Sequence, residues 1–382
     1  MLRDIPRYTQ LLVVSDTGMY QKDRKTYAFG PVVKELQEML SLFETITWIG
    51  FDRPDQCNNA SYVEVPSEKI KVIALERVGG TSMGAKLKII ASYPKMKALI
   101  ASEIDKHQYI HCRAPSNPAF ICMKLSKNHP KKQFWFKYAG NWTEKAPFFY
   151  DFQRKKLKTL LSNCKVTVNG SWPNQESHIF AFENPCLEDR DRDSGMEIVR
   201  NKKLEEKYHY CFVGGLNENK GIRKMLGAFS EIKSDKVGSI HIVGDGELKE
   251  EMMAISKGVK KDIVFHGFLG KRELFEVYRQ CHFIILPSQS EGFPKVIGEA
   301  MNFGCAPIVS QISCIDQYIR HKQNGFLLKP VHQEKLKKMI EESLKIDGIT
   351  FRSFIDHNYR MAHKFTYGYY IQRIEEELFK SQ

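Results

Sequence analysis

Short apolar runs of β-strand length alternate with longer amphipathic stretches along almost the whole chain. Near its start the runs TQLLVVSD and TITWIGF flank the amphipathic stretch FGPVVKELQEMLSLF, and further on HYCFVGG is followed by GIRKMLGAFSEI. Strands that alternate with helices in this way pair in parallel, and the helices cover the faces of the sheet. The pattern therefore predicts an α/β fold built from βα units.

The βα pattern breaks once, in the stretch AFENPCLEDRDRDSGMEIVRNKKLEEK, which is rich in charge and lacks a sustained apolar period. A chain of 382 residues is long enough for two domains. We therefore predict a first Rossmann-like domain over residues 1–182, a linker over 183–207 and a second Rossmann-like domain over 208–359.

Positive charge is concentrated in the first half of the chain. Of 58 Lys and Arg and 45 Asp and Glu, residues 1–180 hold 27 and 16, a net charge of +11, and the remainder carries +2. This asymmetry indicates an anionic partner for the first half, such as a nucleic acid, an acidic lipid surface or a phosphorylated substrate. Charge that serves solubility alone is the alternative.

Cysteine usage and apolar run length bear on location. The nine cysteines form no CxxC pair and often lie in apolar runs, which is typical of buried free thiols in a reducing cytosol. The first apolar run, LLVV, ends before Asp16 and is too short for a signal peptide, and no run approaches the roughly 18 residues of a membrane span. We expect a cytoplasmic protein whose membrane contact would be peripheral.

The segment HFIILPSQSEGFPKVIGEAMNFGCAPIVS has the pattern of a ligand site. An apolar strand ends at Pro287, a polar loop follows, and Pro294 suits the first turn of a helix. Loop amides and a helix N-terminus then meet at the carboxyl edge of the sheet, where phosphates bind. Glu291 and Glu299 lie eight positions apart, and carboxylates beside a phosphate make electrostatic sense if they face the neutral hydroxyls of a sugar or ribose. An ordinary strand, loop and helix with two surface acids is the alternative.

This segment resembles the E-x7-E signature of the group-one glycosyltransferases, a large family of retaining, metal-independent enzymes. Four more segments are similar to the family's other motifs, in the family's order: FVGGLNENKGIRKMLGAF to its G-R-L-x-x-x-K-G loop, HIVGDGELKEEM to its G-D-G turn, IVFHGFLGKRELFEVY to its nucleobase loop and QNGFLLKP to its closing N-G-F-L. The matches run from about Tyr210 to Pro330, about a third of the chain. The resemblance implies the GT-B fold, in which two Rossmann-like domains face across a cleft and a C-terminal helix, here about 360–382, crosses back to the N-terminal domain.

The resemblance assigns roles on the donor side. Glu291 would bind hydroxyls of the donor sugar, Glu299 would bind the ribose, and Lys220 would neutralise the diphosphate and so stabilise the leaving group. The other donor contacts that it implies are Gly215, Arg223, Gly244, Gly267, Phe268, Gly292, Phe293, Pro294 and Lys295. Each of these roles has a structural alternative. Lys220 can be a surface lysine, and Gly244 can belong to a tight βα turn. Gly267 and Phe268 can serve strand-end packing.

One position departs from the family pattern. Gly215 stands where the family has an arginine that partners the lysine at the diphosphate. Arg223 or Lys295 are the cations that would substitute for it.

The first half resembles the family in outline. Gly30 follows a long first βα connection that matches the family's glycine-containing loop, although it can also be a simple helix-start glycine. The segment YIHCRAPSNPAF resembles the family's strand and histidine-containing loop. When the segment is aligned on Pro115, Arg113 takes the place of the family's histidine and would bind a phosphate or a sugar carboxylate. His111, two residues earlier, lies on the same face of the strand as Arg113. The alternative for His111 is a histidine of the core.

Asn141 and Trp142 follow the aromatic run QFWFKYAG. An amide that hydrogen-bonds hydroxyls and an indole that covers an apolar sugar face suit an acceptor sugar, and loop packing is the alternative. The stretches SKNHPKKQFWFK and FQRKKLKTLLSNCK combine cationic and apolar residues as a membrane-facing segment would, or form solvated faces.

We therefore predict a glycosyltransferase that moves a sugar from a nucleoside diphosphate sugar to an acceptor hydroxyl with retention and without metal or cofactor, in cell-surface polysaccharide or glycolipid synthesis. Its catalytic residues would be Glu291, Lys220, Arg113 and His111. The expected partners are the nucleotide sugar, a glycan or lipid-linked acceptor and an anionic membrane at the inner face of the cell, with no nucleic acid. The alternatives are a nucleotide-sugar epimerase of the same fold, a non-catalytic protein that binds nucleic acid or an anionic surface, and a degenerate family member.

Overall fold

A computed structural model describes residues 8–57, 59–66, 68–76, 83–144, 146–160 and 163–380, with the backbone alone for 83–90. It divides into two compact units, one comprising Met1–Phe182 with Ile371–Gln382 and the other Glu183–Tyr370.

The first unit is built on a mainly parallel sheet. Seven of its described strands pair in parallel in the order β5, β3, β1, β6, β7, β8 and β9, while β2 and β4 join antiparallel at the end of β1. The strands are β1 (Tyr8–Lys22), β2 (Lys25–Phe29), β3 (Phe43–Asp52), β4 (Tyr62–Glu64), β5 (Ile70–Leu75), β6 (Tyr109–Ala114), β7 (Gln133–Tyr138), β8 (Cys164–Val168) and β9 (Ile179–Ala181). The helices are α1 (Gly30–Met39), α2 (Met83–Lys106), α3 (Asn117–Leu125) and α4 (Phe148–Leu157).

The long first βα connection differs from the predicted loop. Strand β1 continues to Lys22 and turns into β2, which pairs antiparallel with both β1 and β4. Tyr20 stacks on Tyr27 with ring centroids 5.1 Å apart and lies 5.8 Å from Tyr62. Stacked rings across neighbouring strands stabilise this ribbon. It was not predicted because the sequence here is rich in polar and charged residues.

The C-terminal segment packs on the first unit, as the GT-B resemblance implies. Phe379 lies in the π-helical turn Ile374–Phe379, and its ring centroid is 5.3 Å from Tyr8, 5.6 Å from Phe43 and 5.3 Å from Tyr109. These rings cover the amino-terminal ends of three neighbouring parallel strands.

The second unit is built on a parallel sheet whose described strands follow the order β12, β11, β10, β13, β14 and β15. The strands are β10 (Tyr208–Val213), β11 (Val237–Val243), β12 (Ile263–Gly267), β13 (Phe283–Leu286), β14 (Ala306–Ser310) and β15 (Phe326–Leu328). The helices are α5 (Asp189–Asn201), α6 (Ile222–Glu231), α7 (Lys249–Ser256), α8 (Lys271–Gln280), α9 (Lys295–Asn302), α10 (Gln333–Ser343), α11 (Gly348–Ala362) and α12 (Tyr367–Arg373). The strand order reverses between β10 and β13, and ligands of such sheets bind at the carboxyl ends of the strands beside that reversal.

The segment predicted as a linker, residues 183–207, lies within the second unit and contains helix α5. The Asp191 carboxylate accepts a hydrogen bond from the Glu188 amide at 2.7 Å and so caps the helix start. A Cβ on Gly195 would lie 2.4 Å from the Asn302 side chain, so α5 meets α9 through a glycine and polar contacts. A helix that packs in this way has no row of large apolar side chains. Its sequence therefore lacks the helical repeat of apolar residues from which a helix is predicted.

All nine cysteines are free thiols, and all but Cys57 are buried. Within the described ranges, no helix has the length and apolarity needed to cross a bilayer.

Replacing Phe379 by Ala is expected to lower the free energy of unfolding of the first unit by about 3 kcal/mol, because the substitution leaves a cavity among three aromatic rings. All four tryptophans lie in this unit, so urea denaturation followed by tryptophan fluorescence reports on it specifically. Phe148, with 86% of its surface exposed, supplies the matched control Phe148→Ala, which should stay within about 0.5 kcal/mol of wild type. Equal midpoints for Phe379→Ala and wild type would contradict the packing described.

Candidate active site

The loop between β13 and α9 lies beside the turn that follows β10. The Gln289 amide donates to the Asn219 carbonyl at 2.8 Å, and the Asn219 side chain returns a hydrogen bond of 3.1 Å to the Ser290 carbonyl. Because β10 and β13 are neighbours in the sheet, their carboxyl ends bring these two loops together.

Lys220 and Glu291 meet at this point. The Lys220 ammonium donates to the Glu291 carboxylate, and both side chains are largely buried. Asn217 holds the lysine's turn, since its side chain accepts from the Lys220 amide at 3.1 Å. The structure thus brings together the two predicted catalytic residues of the second unit, and their charges neutralise each other.

Gly221 permits this approach. It has a φ of 73°, and a Cβ at this position would lie 2.4 Å from the Pro287 carbonyl oxygen. Only glycine tolerates both the left-handed conformation and so close a neighbour. The glycine after Lys220 therefore lets the turn that carries the lysine approach the end of β13.

The predicted substitutes for the family arginine lie in different surroundings. Arg223 donates to Glu218 at 2.8 Å and also pairs with Glu251, so two carboxylates hold its guanidinium. Lys295 is the first residue of α9 and is half-buried. Gly215 itself lies near the Asn217 side chain, 3.0 Å from where its Cβ would stand.

Glu299 lies on α9 one turn after Lys295. Burial raises the pKa of the Glu299 carboxyl, and the ammonium groups of Lys295 and Lys271 oppose that rise. The Tyr278 hydroxyl donates to the Glu299 carboxylate at 3.3 Å. Tyr278 was not among the predicted site residues. Its place on the apolar side of the helical stretch KRELFEVYRQ could have indicated a buried hydroxyl that needs a hydrogen-bond partner.

Phe293 is a packing residue of the loop. Its buried ring stacks on Phe365 with centroids 4.7 Å apart and lies 4.8 Å from Tyr318. The Phe293 carbonyl accepts from the Asn184 side chain at 3.5 Å, and the Gly292 carbonyl accepts from the Cys314 thiol at 3.7 Å. These partners fix the loop backbone, and Pro294 follows as the residue that precedes the first turn of α9.

Gly244, Gly267 and Phe268 lie at the carboxyl ends of β11 and β12. The Gly244 amide donates to the Gly267 carbonyl at 2.7 Å, and a Cβ on Gly244 would lie 2.0 Å from the Gly214 carbonyl oxygen, so close packing of adjacent strand ends requires this glycine. The Phe268 side chain is 55% exposed. An exposed ring at this edge of the sheet is available to stack on a planar ligand.

In the first unit, Arg113 belongs to a buried charge cluster. The Glu35 carboxylate accepts from Arg113 at 2.9 Å and from Lys137 at 2.9 and 3.0 Å. Arg113 and Lys137 are register partners on β6 and β7, near the carboxyl ends of those strands. The two cations thus flank a buried carboxylate, and the Arg113 guanidinium also acts on the Asp16 carboxyl, whose pKa it lowers against the larger effect of burial.

Glu35 and Lys137 were not among the predicted site residues. Each is a charged residue inside an apolar pattern: Glu35 lies on the helix face of Val32, Leu36 and Met39, and Lys137 lies in the buried run FWFKY. A charged side chain at such a position needs a buried partner of opposite charge, so each of these two residues could have been predicted to form a buried ion pair.

The structure places His111 in the core of the first unit. Its ring stacks on Trp135 with centroids 3.8 Å apart, and its Nε2 atom has no hydrogen-bond partner among the described residues. Burial lowers the pKa of His111 to about 3, with a further contribution from the Arg113 guanidinium. A neutral imidazole with these contacts fits the core-histidine alternative, and a catalytic role for His111 stays a prediction.

The remaining first-unit candidates have structural partners. The Gly30 amide donates to the Ser61 carbonyl at 2.8 Å at the start of α1. The Asn141 side chain accepts from the amides of Thr143 and Glu144, and the buried Trp142 ring packs against Tyr138 at 5.2 Å. An indole that is 3% exposed offers no face to a sugar, so the structure favours loop packing for this pair.

Residues 196–360 match the family model described as glycosyl transferases group 1. An uncharacterized glycosyltransferase of Methanocaldococcus jannaschii is 29% identical over 149 residues, 38% of this chain and 38% of that protein. An uncharacterized glycosyltransferase of Haemophilus influenzae is 32% identical over 150 residues, 38% of this chain and 42% of that protein. The matched regions thus span well under half of these two relatives.

Solved structures match nearly the whole chain. A glycosyltransferase from Rickettsia africae has a TM-score of 0.67 at 17% identity, covering 98% of this chain and 100% of that one. Anabaena HepE in complex with UDP has a TM-score of 0.66 at 14% identity, covering 97% and 99%. At these identities the likeness establishes the fold, which is GT-B.

The fold is therefore of the GT-B class. The resemblance to the group-one glycosyltransferases that the motifs indicated is confirmed for residues 196–360, which lie within the second unit.

The low pKa of His111 predicts how the stability of the first unit depends on pH. The unfolded imidazole takes up a proton near pH 6.5 and the folded one near pH 3, so stability is full above 6.5 and falls as the pH drops below it. The loss should approach about 1.4 kcal/mol per pH unit between about pH 5.5 and 4, with a shallower slope near pH 6.5. His111→Phe keeps a ring against Trp135 and should flatten that dependence, measured by urea denaturation with tryptophan fluorescence. Parallel pH curves for variant and wild type would show that His111 is not the group responsible.

Proposed function

We propose that the protein is a retaining glycosyltransferase that moves a sugar from a nucleoside diphosphate sugar to an acceptor hydroxyl without a metal ion. The observation that carries this proposal is the contact between Lys220 and Glu291 at the carboxyl ends of β10 and β13. A cation suits a phosphate and a carboxylate suits sugar hydroxyls, and a nucleotide sugar presents both groups side by side.

Each group of the site has a role in this reaction. Lys220 stabilises the negative charge that develops on the leaving diphosphate, helped by loop amides from Gly292 onward and the N-terminus of α9. Glu291 accepts hydrogen bonds from the sugar, and Glu299 accepts them from the ribose. The acceptor hydroxyl attacks on the face that the diphosphate leaves, and its proton passes to the leaving phosphate, so no protein nucleophile is required.

Solved relatives support a nucleotide sugar as the donor. Anabaena HepE has been solved with UDP and with UDP-glucose, at 14% and 16% identity to this chain. We therefore propose UDP as the first nucleotide to test, with GDP and ADP beside it.

Thermal shift with UDP, GDP and ADP tests the donor site. Binding to the folded state should raise the melting temperature in a concentration-dependent way for one of the three. Incubating the corresponding nucleotide sugar without an acceptor separates transfer from epimerisation, since only an epimerase forms the epimeric nucleotide sugar under these conditions. The absence of any nucleotide-dependent shift would count against the donor site.

Glu291→Gln and Lys220→Met are each expected to lower the rate of transfer about a hundredfold or more, because each removes a charged group that acts at the departing diphosphate or its sugar. The readout is release of nucleoside diphosphate in the presence of acceptor. Glu334→Gln and Lys338→Met, exposed positions on α10, are matched controls and should retain wild-type rates. Wild-type turnover by either site variant would refute the assignment.

On the acceptor side, we propose that the first unit binds an anionic or lipid-linked glycan in polysaccharide or glycolipid synthesis. Basic residues outnumber acidic ones by 11 over residues 1–180. Arg113 and Lys137 lie near the carboxyl ends of β6 and β7, where both donate to the Glu35 carboxylate. An acceptor that carries phosphate or carboxylate complements this excess of basic residues.

Helix α4 supports contact with an anionic membrane. Phe148 is 86% exposed and Tyr150 is 43% exposed at its start, and Lys155, Lys156 and Lys158 are exposed at and just beyond its end. Exposed aromatic rings enter the interfacial region of a bilayer while lysines contact acidic headgroups. We propose that α4 is the membrane-facing segment.

Phe148→Ser should weaken binding to vesicles that contain about 30 mol % phosphatidylserine, because it removes the most exposed apolar side chain of α4. Co-sedimentation measures the bound fraction, with neutral phosphatidylcholine vesicles as the charge control. Ile349, 83% exposed on α11 of the second unit, gives the matched control Ile349→Ser, which should bind as wild type does. Equal binding of wild type to acidic and neutral vesicles would remove the membrane proposal.

A further inference from the structure

The diphosphate of the proposed donor lacks one of the cations expected in a group-one glycosyltransferase. Gly215 stands at the family's arginine position, and the charge of Lys220 is already balanced by Glu291. A nucleoside diphosphate sugar carries a negative charge on each of its two phosphates. A second cation would add to the loop amides and the helix end in balancing that charge.

We propose that Lys295 is this second cation, a catalytic residue that contacts the diphosphate of the donor. This inference rests on the proposed glycosyltransferase function. It identifies how this chain compensates for the glycine at position 215.

The other cations around the site are held by carboxylates. Two glutamates bind Arg223, Lys249 pairs with Asp245 at 2.8 Å, and Lys271 pairs with Asp191 at 2.6 Å. Among the described residues, no carboxylate lies within ion-pair distance of Lys295. Its charge can therefore act on a ligand without breaking an existing pair.

The spacing of three residues places Lys295 along the donor. Glu291, Lys295 and Glu299 are four positions apart, and Lys295 and Glu299 lie one above the other on the same face of α9. In keeping with this spacing, the Lys295 ammonium lowers the pKa of the Glu299 carboxyl against the larger effect of burial.

The order of these residues matches the order of the ligand's parts. The proposed donor runs from sugar through diphosphate to ribose, and the chain offers Glu291 for the sugar, Lys295 next and Glu299 for the ribose. Lys295 is also the first residue of α9, where the helix dipole favours an anion. The position of Lys295 in the chain, its charge and its place at the helix start thus all favour a contact with the diphosphate.

In the reaction, the bond between the anomeric carbon and the diphosphate oxygen breaks, and its electron pair stays on that oxygen. Lys220 and Lys295 stabilise the charge that forms there. The acceptor oxygen bonds to the anomeric carbon, and the acceptor proton moves to the leaving phosphate, so no other reactant is needed.

Binding of a nucleotide series to Lys295→Met tests the proposal. The probes are the diphosphate that shifts the wild-type melting temperature most among UDP, GDP and ADP, together with its monophosphate and its nucleoside, measured by titration calorimetry. Loss of a charge contact should raise the Kd of the diphosphate about tenfold or more while changing that of the nucleoside less than about twofold. Lys295→Arg should restore most of the affinity, and kcat with acceptor should fall in Lys295→Met.

Controls separate this assignment from the function on which it rests. Melting of each variant without ligand checks folding, and Lys338→Met should bind the diphosphate as wild type does. A Lys295→Met variant that binds diphosphate normally, that loses nucleoside and diphosphate affinity equally, or that loses less than Arg223→Gln overturns the Lys295 assignment alone. Failure of wild type to bind any of the three diphosphates overturns the donor site and this inference with it.

Discussion

The contact between Lys220 and Glu291 depends on the topology of the second sheet and in turn gives the site its chemistry. Strands β10 and β13 are adjacent in the sheet, although residues 214–282 lie between the end of β10 and the start of β13. The loops after their carboxyl ends carry the lysine and the glutamate. Gly221 lets the lysine's turn approach Pro287, and Phe293 anchors the other loop. A change in any of these supports would move a charged group of the site.

The two units use charge in different ways. In the first unit, the Glu35 carboxylate is buried between Arg113 and Lys137, and basic residues exceed acidic ones over residues 1–180. In the second unit, the charges of Lys220 and Glu291 cancel, so the proposed diphosphate would be attracted by loop amides, a helix end and a cation such as Lys295. The bulk positive charge of the chain therefore belongs to the proposed acceptor side rather than to the nucleotide.

Much of this architecture could be predicted from the sequence because βα alternation and the E-x7-E spacing are local patterns. The misjudged parts depend on packing across the chain. Helix α5 was taken for a linker because Gly195 meets Asn302 through polar contacts, and Trp142 was expected to face a sugar although its ring is buried. Glu35 and Tyr278 were missed because their partners lie on distant segments, which a linear pattern does not reveal.

A crystal structure of the protein with the nucleoside diphosphate that binds best is the decisive test of the donor site. We expect the phosphates to lie within hydrogen-bond distance of the Lys220 ammonium and of the amides at the start of α9, with the ribose at Glu299. A nucleotide bound at another edge of the sheet, with Lys220 still paired to Glu291 and its phosphates elsewhere, would contradict it.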